Sequence, residues 1–520
     1  MFNVKSLLVV ALAGFSALAA AHPDNKNGKY GKDHKDNHND HDDDKHESRG
    51  PRNFIMVVPD GFGPASETMA RDYMHWKDNS TAVLPIDEMV IGMVRTKATD
   101  SYVTDSAASA TAYSCGIKSY NGAIGVDDDY EPCGTVLEAA HLEGFKTGLV
   151  VTSRITHATP ATFASHIYHR DLESEIALQE IGYAHPLGRT VDVMLGGGRC
   201  FFTPNTTEGS CRKDGVDALA IARDLGYTTF QDRATFDSEL KLPYLGLFTN
   251  DHMSYEADRD PAIEPSLKEM AIKGLNDLYR ATKDSKKGFF IMVEASRIDH
   301  AGHANDPVGH LHDILAYNEA MLAMREWIDE HSDSPTTLIS TADHECGGLT
   351  VGKEISGPPG YWYDPSFFAG AKATSGPLSK QWAAYTGSDQ KGYLKSEIFA
   401  KYGVAQPTEQ ELSEGIALKS SASKFSKFLT KALSSRLGVN WATGGHTASD
   451  VTLFGWGVNS KTFAGSRENN EVGHFIAKQL GLDLESVTKK LQSNETWQAD
   501  WVKPKAGHQR SARDLHSHHH

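Results

Sequence analysis

Residues 289–343 read FFIMVEASRIDHAGHANDPVGHLHDILAYNEAMLAMREWIDEHSDSPTTLISTAD. The stretch opens on a continuous apolar run, FFIMVEAS (289–296), passes through a helical pattern at 311–329, and closes on a second run, TTLISTAD (336–343). Strands that are apolar on both faces are what a parallel sheet covered by helices on each side requires. Strand, helix, strand predicts an α/β fold.

Working outward, similar runs recur at NFIMVVPD (53–60), TGLVVTS (147–153), VDVMLGGG (191–198) and VTLFGWG (451–457), with helical patterns at VLEAAHLEGF (136–145) and SLKEMAIKGLNDLYRAT (266–282). The expected architecture is a doubly wound, largely parallel central sheet flanked by helices. No long linker separates the runs, so residues 51–500 read as one large domain. Residues 355–440, rich in Gly, Ser, Lys and Tyr, break the rhythm and read as a cap or crown insertion.

The two ends are different. Residues 1–21 carry Lys5, an apolar run from Leu7 to Leu18 and then Ala19, Ala20 and Ala21, the pattern of an export signal peptide. An apolar run of about a dozen residues falls short of the ~20 that span a bilayer. Residues 22–50, with His34, His38, His41 and His46 among aspartates, hold almost no aliphatic side chain and are expected to be disordered. The polar tail 501–520 offers no lipid-anchor signal. The mature chain is expected to be secreted, or held in a periplasm or vacuole, with no membrane span.

Lys plus Arg total 52 against 68 for Asp plus Glu in 520 residues, a net charge of −16, which argues against a nucleic-acid-binding surface. Five cysteines in an exported chain leave at least one unpaired. Cys200 and Cys211 flank a short polar loop that suits a local disulfide, and Cys115 with Cys133 could form a second. Cys346 would then be a small buried hydrophobe. Sequons place glycosylation candidates at Asn79, Asn205 and Asn494.

Polar residues collect where the predicted strands stop: Asp60, Thr152 and Ser153, Glu294, and Asp343. In open parallel sheets, ligands bind outside the carboxyl ends of the strands. In TDSAASATAYSCG (104–116), small residues follow Asp105 and Ser106, placing Ser106 near a helix N-terminus that stabilises an anion. A serine there is more often only a cap. In VEASRIDHAGHAND (293–306), Asp299 and His303 stand i, i+4, so one helical turn presents a carboxylate and an imidazole together. TADHECGG puts Asp343 and His344 at a strand end, and GGHTASD puts His446 behind two glycines. Mixed carboxylate and imidazole sets suit zinc, and an all-oxygen set suits magnesium.

The motifs VPDGFG, TDSAASATAYSCG, THATPATFASH, VEASRIDHAGH, TADHECGG and GGHTASD, in this order over residues 53 to about 457, resemble those of the alkaline phosphatases. The resemblance implies hydrolysis of phosphate monoesters through a phosphoserine at Ser106, with Arg170 gripping the phosphate oxygens. It implies two zinc ions, one held by Asp299, His303 and His446, the other by Asp60, Asp343 and His344 beside Ser106. It implies one magnesium held by Asp60, Thr159 and Glu294, and a homodimer acting on small phosphate-monoester substrates. His157 and His300 stand where bacterial relatives are expected to carry acidic and basic residues, as in animal members, and are expected to back the metal site, as is Asp105. Other readings are a related metal-dependent phosphodiesterase or sulfatase, and a metal-sequestering exported protein working through its His and Asp tail.

Overall fold

In a computed structural model that describes residues 52–505 except Ser80 and Ala82, the core is a ten-stranded sheet. In chain order its strands are β1 (Asn53–Val58), β2 (Val90–Arg95), β3 (Lys146–Arg154), β4 (Val193–Gly197), β5 (Thr228–Phe230), β6 (Tyr244–Leu247), β7 (Phe289–Glu294), β8 (Thr336–Thr341), β9 (Val451–Gly457) and β10 (Gly465–Glu468). Their spatial order is β10-β2-β9-β8-β1-β7-β3-β4-β6-β5. Every residue of β1, β7 and β8 is buried, as strands covered on both faces must be.

Residues 289–343 form β7, helix Pro307–Glu330 and β8, with β1 between the two strands. Phe54 pairs in register with Phe290 of β7, and Met56 with Ile339 of β8. The helix starts at Pro307, ahead of the pattern read at 311–329: the Asp306 carboxylate accepts from the Val308 and Gly309 amides, and Pro307 fills the first turn. Helix Leu267–Thr282 starts with a reciprocal cap between Ser266 and Glu269.

One strand departs from the parallel pattern. β9 runs antiparallel to both of its neighbours, β8 and β2, while the other nine share one direction. Its apolar run reads like those of its neighbours because burial, not direction, sets composition. The sequence reading also missed β2, β5, β6 and β10. These strands lie toward the sheet's two flanks, where β2 and β10 are half exposed and β5 and β6 are only three and four residues long. Short or half-wet strands leave little hydrophobic signal.

Residues 355–440 contribute helices Ser375–Ala384, Glu409–Ala417 and Ala422–Leu437, packed around the buried Trp382, whose indole donates to the Gly415 carbonyl at 3.0 Å. The segment is tied to the sheet region through Asp306, which accepts from the Tyr402 hydroxyl at 2.9 Å and the Ser375 amide at 2.7 Å. Disulfides join Cys115 to Cys133 and Cys200 to Cys211, and Cys346 is free and buried. No described helix is long and apolar enough to cross a membrane. The expected signal peptide, the His-rich segment 22–50 and most of the tail lie outside the described residues.

Candidate active site

β1, β7 and β8 all end at one rim, and each delivers acidic groups there: Asp60 two residues past β1, Glu294 as the last residue of β7, and Asp343 with His344 just past β8. Helix Arg297–His303 follows β7 at once and stacks Asp299 under His303, as the i, i+4 spacing predicted. His446 arrives from the other direction, on a two-residue strand, His446–Thr447, just ahead of β9. Because β9 is antiparallel, its start lies beside the end of β8, where Leu453 pairs with Thr341, and His446 bridges to Cys346.

Ser106 is the first residue of a fully buried, alanine-rich helix, Ser106–Cys115. It is not the cap. Asp105 takes that role, accepting from the Ala108 amide at 2.9 Å, which leaves the Ser106 hydroxyl to point at His344 Nε2, 3.2 Å away. The other Asp105 oxygen accepts from the Gly122 amide at 2.9 Å and from Arg170 Nη1 at 3.1 Å. Arg170 Nη2 lies 3.2 Å from His157 Nε2. Thus Asp105 ties the serine's helix to the arginine's guanidinium, and with only 11% of its side chain exposed Arg170 differs from a surface salt bridge.

The hydrogen bonds around the two outer histidines decide their chemistry. His303 Nδ1 donates to the Gly444 carbonyl at 2.7 Å, and His446 Nδ1 to the Thr104 carbonyl at 2.9 Å. A carbonyl only accepts, so both rings carry their proton on Nδ1 in the neutral form and turn the Nε2 lone pair inward. Those two Nε2 atoms face each other at 3.0 Å, with Asp299 oxygens 3.2 Å from His303 and 3.6 Å from His446. Converging lone pairs are the arrangement of a cation site.

The inner set is starved of donors in the same way. Both Asp60 oxygens, Asp343 Oδ2, Asp299 Oδ1, Glu294 Oε1 and His344 Nδ1 are buried without a hydrogen-bond partner. Asp343 Oδ1 accepts from the Gly61 and His344 amides at 3.3 and 3.1 Å, which aims Oδ2 at His344 Nε2, 3.2 Å away. Glu294 Oε2 is braced by the Ser153 and Ser296 hydroxyls at 3.1 and 2.5 Å. Burial, then the charges of Asp343, Asp299 and Glu294, push the Asp60 carboxyl well above the usual range. Burial likewise pushes Glu294 up to about 7, although hydroxyls including that of Thr159 hold it down. Asp299 goes the other way: burial would raise it, but His303, His446 and His344 hold it well below. Unpartnered buried carboxylates are costly unless cations satisfy them. The donor set fits that requirement, with imidazoles and carboxylates in the outer and middle groups and oxygens alone around Glu294.

Thr159 lies inside helix Ala158–Ala164, and His157 takes the position before that helix. His157 and His300 lie beside the site with a third imidazole that the sequence reading missed, His252, whose ring centre is 5.1 Å from that of His157 and 4.2 Å from that of His300. A lone histidine in an irregular loop gave no signal. Cys346 Sγ lies near the ligand atoms of Asp299, His303 and His446, but burial and then Asp299 push its thiol well up, so it stays protonated and apolar in behaviour. A further buried cluster, Glu138 with His166 and His185, also escaped the sequence. Asn79, Asn205 and Asn494 are exposed.

A family model described as alkaline phosphatase matches residues 51–482. An alkaline phosphatase of Schizosaccharomyces pombe is 39% identical over 457 residues, covering 86% of this chain and 85% of that one. A repressible alkaline phosphatase of Saccharomyces cerevisiae is 42% identical over 477 residues, covering 85% and 84%. Among solved structures, a cold-active alkaline phosphatase from a Shewanella species superposes with a TM-score of 0.72 at 30% identity, over 82% of this chain and 99% of that one.

Proposed function

The chain belongs to the alkaline phosphatase family and is a phosphoric monoester hydrolase, and from that premise we propose which of its residues carry the reaction. Ser106 is the nucleophile. Its position in the first turn of a buried helix, at the positive end of the helix dipole, lowers the cost of an alkoxide. Zinc held by Asp299, His303 and His446, zinc held by Asp60, Asp343 and His344, and magnesium held by Asp60, Thr159 and Glu294 would supply Lewis acidity at the phosphate and at the serine oxygen.

Within that frame Arg170 binds two non-bridging phosphate oxygens through its planar fork, held at its angle by Asp105. Ser106 Oγ, having lost its proton to solvent at alkaline pH, attacks phosphorus as the bond to the ester oxygen breaks. The departing alcohol oxygen leaves on the side of Asp299, His303 and His446 and takes a proton from water. Water then attacks the phosphoserine, freeing phosphate and restoring Ser106. Glu294, Ser153 and Ser296 fix the floor of the site, and His157 and His300 its flank.

The single supporting observation is the Ser106 hydroxyl at 3.2 Å from His344 inside a ring of buried carboxylate oxygens that have no donor. Hydrolysis rates on a phosphate monoester, a diester and a sulfate ester of one aryl alcohol test the reading, and a preference for either of the last two overturns it. The two disulfides agree with export by the leader peptide, which a secretion assay of the full chain checks. A homodimer is expected, and its mass in solution is the check.

A further inference from the structure

A cavity of about 640 Å³ opens beside His303, between the end of helix Arg297–His303 and the face of helix Ala422–Leu437. Lys353, Lys427 and Lys431 line it together with Ser426 and Asn440, and no carboxylate does. In a chain with 68 acidic residues and a net charge of −16, a cavity bounded by three lysines and no acid is selective for anions. Lys427 and Lys431 are one helical turn apart, so both present to the same groove. None of the three lysines joins an ion pair among the described residues, and Lys353 reaches only the Ser435 hydroxyl, at 3.4 Å.

The position of this cavity relates it to the reaction. In the mechanism proposed above, in-line attack from Ser106, beside His344, sends the leaving group toward the group of Asp299, His303 and His446. The cavity continues outward from His303. A simple alcohol would gain nothing from three ammonium groups there, whereas a leaving group carrying its own phosphates would gain a contact for each. We propose that the cavity is a leaving-group subsite for short linear oligophosphates, from which the enzyme removes the terminal phosphate. The inference rests on the hydrolytic reading of the site given above. The bond from Ser106 Oγ to the terminal phosphorus forms as the anhydride bond breaks. The electron pair stays on the bridging oxygen, which becomes the new end of the shortened chain and adds one negative charge inside the lysine-lined cavity. Water then hydrolyses the phosphoserine.

The test compares tripolyphosphate with p-nitrophenyl phosphate on the full-length, metal-loaded wild type and on Lys427→Ala/Lys431→Ala. For the variant, kcat/KM on tripolyphosphate is expected to fall about tenfold, mostly through KM, with the aryl ester within about twofold of wild type. Retained aryl turnover shows that the variant folds. An unchanged tripolyphosphate rate, an equal loss on both substrates, or a wild type that cleaves only the aryl ester overturns the subsite. A wild type that cleaves neither substrate overturns the phosphatase reading instead.

Discussion

Two buried clusters in this protein each bring a carboxylate against two imidazoles, and they are built for opposite purposes. At Glu138, His166 Nδ1 donates to the Gly125 carbonyl at 2.7 Å and its Nε2 lies 2.8 Å from Glu138 Oε1. His185 Nδ1 accepts from the Leu187 amide at 3.2 Å, so its proton sits on Nε2, which lies 2.8 Å from the same carboxylate oxygen but outside hydrogen-bond geometry. Glu138 Oε2 accepts from the Thr135 amide at 2.9 Å. The charge that answers Glu138 is the proton it favours on His166. At Asp299 both histidines give their Nδ1 protons to carbonyls, and two lone pairs and a carboxylate converge on one point. The residue types are the same, but His185 has an amide behind its Nδ1 where His166, His303 and His446 have carbonyls. That group, which sets the tautomer, separates a proton-linked clamp from a cation cradle.

The contrast breaks most easily at the rim. Ser106→Ala should lower kcat by about a thousandfold or more, ~4 kcal/mol, with cation content unchanged by elemental analysis. Loss of metal along with activity would show that the serine helix is structural. Stripping divalent cations should abolish turnover and lower thermal stability, by about 4 kcal/mol where free cation had stood a thousandfold above its Kd. Because burial holds Asp60 and Glu294 toward their protonated forms, reloading should release protons, read by calorimetry in buffers of different ionisation enthalpy. Proton-neutral binding would contradict the donor geometry.

On the other side, Glu138→Gln should cost about 3 kcal/mol of stability, because it leaves a buried imidazolium uncompensated. Its cation content should match wild type, and a missing equivalent of metal would erase the distinction between the clusters. The pH dependence has a definite sign. Burial opposes charging of His166, but Glu138 outweighs it and raises the imidazole above its ordinary value. Burial also opposes ionisation of Glu138, and the two histidines hold it well below the carboxylate range. The pair's contribution is therefore full between about pH 4.5 and 6.5, lost above as His166 deprotonates and lost below as Glu138 protonates. The stability gap between wild type and Glu138→Gln should shrink from about pH 6 to alkaline pH, as thermal melts would record. The smallest expected effect is Thr135→Ala, about 1 kcal/mol from the lost cap of helix Val136–Leu142 and no change in kcat.

The acids Asp60, Glu294 and Asp343 at the rim were legible because each stands at the end of an apolar strand whose length the sequence displays. Asp299 and His303 were legible for a second reason, since four residues make one helical turn. Arg170 and Thr159 were reached only through family resemblance, because one arginine or threonine in a loop or helix carries no local signal. The sequence offered Ser106 as the cap of helix Ser106–Cys115, whereas the Ala108 amide donates to the Asp105 carboxylate. His252 and the Glu138 cluster were invisible, since their members come from separated segments that meet only through packing.

From its sequence alone the chain determined a buried, helix-covered sheet and the acids at its strand ends, because hydrophobic period and local capping are nearest-neighbour properties. Tertiary structure decided the direction of β9, and with it the arrival of His446 opposite His303. It also decided which carbonyl or amide stands behind each histidine, since only the folded backbone can fix where an imidazole keeps its proton.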